Sequence, residues 1–171
     1  MKKLLLPLIA SLLLNVPLSA KTIEFPAKDS EFSFTLPKDW TGAFDGNVFT
    51  SQPKGANFAL SIFPAPAAES VEDVIKITEK SAGSQYTDCK IGEPAEHEVG
   101  GIKFTFADGT GKKDGAEWKL TLVGFSPDGE HYVGMFSAGD EAADKKHGAE
   151  CMELLKSIKL KHGDAKEKDD E

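Results

Sequence analysis

The side chains able to do chemistry in this sequence are four histidines, two cysteines and 28 acidic residues. His97, His131, His147 and His162 form no His-Glu-x-x-His or other recognised ligand spacing. One turn does gather donors: Asp128, Glu130 and His131 follow one another around Pro127-Asp128-Gly129. Two carboxylates with an imidazole are a donor set for a metal ion or a small polar ligand, so these three are the metal-ligating candidates. Elsewhere the histidines read as ordinary residues. His97 sits at a solvated strand position, and His147 packs beside the apolar stripe of a helix.

Other constellations fail on spacing. Asp108 to Glu117 has a passing likeness to a calcium loop, but it carries Lys112 where an EF-hand needs oxygen, and it joins strands rather than helices. Gly109, Gly111 and Lys112 resemble a phosphate loop in letters only, with no helix to follow. A glycine-rich hairpin turn accounts for both. No G-x-S-x-G elbow is present, and acidic pairs such as Glu69 with Asp73 or Glu93 with Glu96 are ordinary in so acidic a chain. The sequence implies no catalytic group and no cofactor.

Charge narrows the partners. All 20 basic residues are lysine, and the formal net charge of the 171-residue chain is -8. A protein without arginine and with a negative field is a poor match for nucleic acid or anionic lipid. The N-terminus carries Lys2 and Lys3, an apolar run from Leu4 to Leu14, and a small residue at Ala20. That is the pattern of a secretory signal peptide over residues 1–20, too short for a membrane span of about 20 apolar residues. Export to a periplasmic or extracellular location, with no stable membrane insertion after cleavage, is the expectation. An oxidising compartment gives Cys89 and Cys151 two fates. One disulfide closing a loop of about 60 residues would add roughly 4 kcal/mol, or each thiol can stay buried alone.

Periodicity supplies the elements that must position these groups. Phe32, Phe34 and Leu36 alternate as a half-buried strand, Asn47 to Ser51 and Phe58 to Phe63 follow as strands, and Trp40 falls in a turn. Ser70 caps a helix carrying Val71, Val74, Ile75 and Thr78 on one stripe, stopped by Ala82-Gly83. A meander then runs through Ala95 to Val99, Ile102 to Ala107, the strand of Trp118, Leu120 and Leu122, and Tyr132 to Ser137. Asp140 caps a second helix with Ala143, His147, Cys151, Met152 and Leu155 in register, and Gly148 offers a later start. Ile158 to Leu160 reads as a last short strand, and residues 162–171 as a charged, disordered tail. Residues 21–161 then make one α+β domain with an antiparallel sheet.

The order of these segments has a family likeness. Phe32-Ser-Phe34-Thr-Leu36-Pro37-Lys-Asp39-Trp40 resembles the F-x-x-P-x-x-W opening of the PsbP-like family. The strand ending at Pro64, the helix from Ser70 and the closing Leu154-Leu155-Lys-Ser157-Ile158-Lys-Leu160 fall where that family has them. The resemblance covers about Phe32 to Leu160 and takes in DcrB-like periplasmic proteins and Mog-type Ran-binding proteins. It implies an α/β/α sandwich, an antiparallel sheet flanked by helices, and a role in binding partners rather than in catalysis. The expected function is thus a non-enzymatic exported interaction or accessory module whose partner is another protein. The alternative is a small-ligand or metal-binding extracytoplasmic protein. Trp40, Phe44, Phe49 and Trp118 are the apolar groups a docking face would use, with core packing as their competing fate.

Overall fold

A computed structural model describes residues 20–161. The signal-peptide reading of residues 1–20 falls almost wholly outside them, and so does the tail assigned to residues 162–171. Eleven strands and two helices are formed among the described residues, in the order β1 (Lys21–Phe25), β2 (Phe32–Leu36), β3 (Trp40–Asp45), β4 (Val48–Pro53), β5 (Phe58–Pro64), α1 (Val71–Gln85), β6 (Thr87–Ile91), β7 (Ala95–Val99), β8 (Ile102–Lys113), β9 (Ala116–Phe125), β10 (Val133–Gly139), α2 (Glu141–Lys156) and β11 (Lys159–Leu160).

The large sheet runs β3-β4-β5-β10-β9-β8-β6, with β7 sharing the outer edge of β8, and every pairing is antiparallel. A small sheet, β1-β2-β11, lies with α2 over one face, while α1 packs on β6, β8, β9 and β10 at the other. The mixed α+β class and the PsbP-like sandwich expected from the sequence are both present. Two apolar clusters lie on opposite sides of the sheet. Phe25, Phe32, Phe34, Phe49, Phe104 and Phe125 dominate the α2 side, and Ile75, Tyr86, Leu120 and Leu122 the α1 side.

Both helices start where the side-chain caps predict. Ser70 Oγ accepts from the backbone N–H of Asp73 at 3.2 Å, and the Asp140 carboxylate accepts from that of Ala143 at 2.8 Å. Each helix then overruns its expected glycine signal. α1 continues past Gly83 to Gln85, and α2 begins at Glu141 rather than at Gly148, because buried Val74, Ile75, Thr78 and Ala82, and Ala143, His147, Cys151, Leu154 and Leu155, hold them to the sheet.

The glycine-rich stretch after Asp108 is also not a hairpin turn. It lies inside β8, and the turn comes later, at Asp114 (φ 52°) and Gly115 (φ 80°). Close approach explains the glycines. A Cβ on Gly109 would stand 2.5 Å from the Lys90 carbonyl oxygen, and one on Gly111 would stand 2.9 Å from Tyr86 Cβ and 3.2 Å from Cys89 Sγ. β6 can therefore cross with its irregular register between Thr87 and Lys90.

Candidate functional site

The metal candidates come together only in part. Both backbone N–H groups of Glu130 and His131 donate to Asp128 Oδ1, at 2.9 and 2.7 Å, and Asp128 Oδ2 pairs with His131 Nδ1. Asp128 is thus spent on its own turn, and the Glu130 carboxylate makes no hydrogen bond to the pair. Glu31 Oε1 is the next acid, 3.8 Å from His131 Nδ1. The hydrogen bond and charge of Asp128, then the charge of Glu31, raise the His131 pKa. Among the described residues no set of three His, Cys, Asp or Glu side chains converges to hold a metal ion. The expected metal site at Asp128, Glu130 and His131 is therefore corrected to a self-satisfied turn.

Of the two fates open to the cysteines, the fold has the separate thiols. Both are free. Cys89 packs with the α1-side cluster near Gly111 and Leu120, while Cys151 belongs to the α2-side cluster. The sheet stands between them, and a disulfide needs Cα atoms within about 7 Å. Burial pushes the Cys151 thiol up to about 12, helped by the charges of Glu150 and Asp144.

The aromatic candidates do not form a docking patch. Trp40 and Phe49 are core residues at 7% and 1% exposure. Phe44 is half-buried against Phe25 and Phe49. Trp118 is half-buried beside Tyr86, with the Lys113 ammonium over both rings at 5.9 and 5.6 Å.

One polar constellation escaped the sequence reading. His147 is buried between the rings of Trp40 and Phe58, with centroids at 5.8 and 5.6 Å. Its Nδ1 lies 2.6 Å from Glu150 Oε2, and Trp40 Nε1 donates to the same oxygen at 2.8 Å. A carboxylate only accepts, so Nδ1 carries the proton. Burial works to raise the Glu150 carboxyl, but the hydrogen bonds from His147 and Trp40 and the nearby positive charge outweigh it and hold it below its ordinary range. His147 Nε2 is sealed from solvent and has no hydrogen-bond partner. An imidazole in that position can pin a helix to a sheet, but it cannot reach a substrate.

The surface feature that does face solvent is a bare stretch of sheet. Seven strands at about 4.8 Å spacing span roughly 30 Å, while one helix is about 10 Å across. α1 sits over the β6-to-β10 half and leaves the same face of β3, β4 and β5 uncovered. A shallow concavity of about 380 Å³ remains there, walled by Thr41, Ala43, Thr50, Gln52 and Ala59, all exposed, and by half-buried Ser61. No residue lining it is charged, in a chain where 28% of residues are. β3 is also a free edge of the sheet.

No family model and no curated protein matches the sequence. Solved structures do match the fold. The cyanobacterial PsbP of Synechocystis superposes with a TM-score of 0.61 at 10% identity, covering 84% of this chain and 94% of that one. The Ran-binding protein Mog1p of Saccharomyces cerevisiae gives 0.56 at 8% identity, over 83% and 96% of the two chains. A Bacteroides thetaiotaomicron protein gives 0.56 at 17% identity over 83% of this chain, which spans only 48% of that protein's length. At such identities the likeness establishes the PsbP-like fold.

Proposed function

We propose that this chain, built on the PsbP-like fold, is an exported, non-catalytic accessory module that docks one protein partner on the bare face of β3, β4 and β5. The observation that carries this reading is the concavity on that face, whose lining carries no charge. A sheet face that only meets water is ordinarily protected by lysine and glutamate, and a wide stretch of small uncharged residues is the surface a partner can dehydrate cheaply. Thr41, Thr50 and Ser61 supply hydroxyls for specificity, and the free edge of β3 can add backbone hydrogen bonds. One protein of similar structure, Mog1p, is a Ran-binding protein, which agrees with a binding role. Export rests on Lys2, Lys3, the Leu4 to Leu14 run and Ala20, and no helix among the described residues is long and apolar enough to cross a membrane. The sealed Nε2 of His147 supports a structural rather than a catalytic role for the His147–Glu150 pair.

The test is site-specific photocrosslinking in the native compartment. A photoreactive residue at Thr50 or Ala59 should give one discrete protein adduct, absent from a control at Lys80 on the outer side of α1. Ala43→Glu should remove it. Equal adducts at all three positions would overturn the reading.

A further inference from the structure

On the opposite face of the sheet, a cavity of about 230 Å³ lies in the seam between α2 and strands β8, β9 and β10. Its body is apolar, built on Val123, Met135 and Leu155. One end is polar. There Asp108 Oδ1 accepts from Thr121 Oγ1 at 2.8 Å, and Asp144 faces the same space from α2 with no hydrogen bond to its carboxylate among the described residues. Burial and then the charge of Asp108 raise the Asp144 pKa, with Lys119 acting the other way. The Lys119 ammonium is turned toward Glu117, at 3.7 Å. Ser137 also lines the cavity. It is only 8% exposed.

Two residues of α2 keep the space open. Gly148 stands in the helix interior, where glycine is less favourable than alanine. No atom lies within 4 Å of where its Cβ would be, so packing does not require it. Its effect is to leave the mouth of the cavity wide. Met152 borders the same mouth at 37% exposure, one of two large apolar side chains so exposed among the described residues. A flexible thioether there can fold over an apolar guest.

We propose that this cavity binds a small organic ammonium, its charged head between Asp108 and Asp144 and its short apolar body against Val123, Met135 and Leu155. The head's N–H groups donate to the Asp144 carboxylate, with the Ser137 hydroxyl lining the same space. The two carboxylates exclude an anion. A bare metal ion is the wrong guest, because the cavity is mostly apolar and the Cys151 thiol beside it stays protonated. The site shares no residue with the β3-β4-β5 face, so it stands or falls independently of the docking reading.

The experiment is an NMR titration of the isotopically labelled protein with phenethylammonium chloride, and in parallel with neutral 2-phenylethanol and anionic 3-phenylpropionate. The expected result is saturable shifts of the Asp144, Gly148 and Met152 amides with the ammonium, about ten-fold weaker binding of the alcohol, and none of the acid. Asp144→Asn should weaken the ammonium about ten-fold and leave the alcohol unchanged. Gly148→Leu, which enters open space, should block both while the circular dichroism spectrum is kept. Absence of saturable shifts at those amides, or equal affinity for ammonium and alcohol, overturns the proposal.

Discussion

Replacing Glu150 tests whether one exposed-edge carboxylate really anchors α2 to the sheet. Two N–H groups, Trp40 Nε1 and His147 Nδ1, converge on a single oxygen, Oε2, at 2.8 and 2.6 Å. Glu150→Ala strips the acceptor from both. A buried donor left unsatisfied costs about 1–3 kcal/mol. The Glu150 side chain is 40% exposed, however, so water can replace part of what is lost on that side, and His147 at 5% is the donor that suffers more. About 2 kcal/mol is the expected loss, which for a protein of this size lowers Tm by roughly 4–8 °C. Glu150→Gln keeps a carbonyl oxygen that can accept both bonds and should cost less than about 1 kcal/mol. The charge contributes separately. Since the Glu150 carboxyl is held below its ordinary range, the stability it adds is present above the unfolded carboxylate pKa and is lost as pH falls through the folded one. The gap between wild type and Glu150→Gln should therefore close on acidification. Thermal and urea unfolding followed by tryptophan fluorescence and circular dichroism measure all three proteins. If Glu150→Ala is indistinguishable from wild type, or if Glu150→Gln loses as much as Glu150→Ala, the shared-acceptor argument is wrong.

Two further outcomes follow from the same side chains. Asp144→Asn should slightly stabilise the protein at pH 7, because burial and Asp108 disfavour the charged form; a carboxyl raised in the fold lowers stability above its folded pKa, so the advantage should vanish below the unfolded one, and a destabilised variant at pH 7 would contradict this. Both cysteines should remain thiols in the protein isolated from its native compartment, with half-buried Cys89 reacting ahead of buried Cys151 and intact mass unchanged by reduction; a gain of about 2 Da on reduction would show a disulfide that this fold forbids.

Much of the scaffold was legible because local patterning and tertiary packing agree. β2 and β7 fall on the expected residues, and the Ser70 and Asp140 caps act as read. The misses have physical causes. β1 carries only Ile23 and Phe25 as buried residues and follows the apolar N-terminal run of the sequence, which masks its alternation. β3 contains Gly42, whose Cβ would meet the Phe49 ring, so its only patterned residues are Trp40 and Phe44. Those two belong to the core that β4 and α2 complete. β6 reads as loop because its alternation is broken by Asp88 at φ 52°. For the site chemistry, the i, i+3 spacing of His147 and Glu150 on a helix was visible as a side-chain pair. The arrival of Trp40 at the same oxygen, 110 residues away in sequence, was not. The candidate aromatics fail as a docking patch for a related reason: a strand residue's face is fixed by register, and Trp40 and Phe49 both point toward α2 and the small sheet.

The two surfaces left open have a common origin in the pairing of β5 with β10. That contact joins the N-terminal strands β3, β4 and β5 to the C-terminal β8, β9 and β10, making a sheet too wide for either layer above it to cover. On the α1 side the deficit falls on the N-terminal strands and leaves a broad, shallow concavity with an uncharged lining. On the other side the small sheet and α2 divide the cover, and α2 reaches β8 and β9 with a glycine and a methionine at its margin, so the deficit there is a narrow seam with carboxylates at one end. Breadth without charge suits a protein surface, whereas a narrow apolar slot with an acidic end suits a small cation. Chemistry, and not only geometry, therefore separates the two, and a mutation that charges Ala43 should leave the α2 seam untouched.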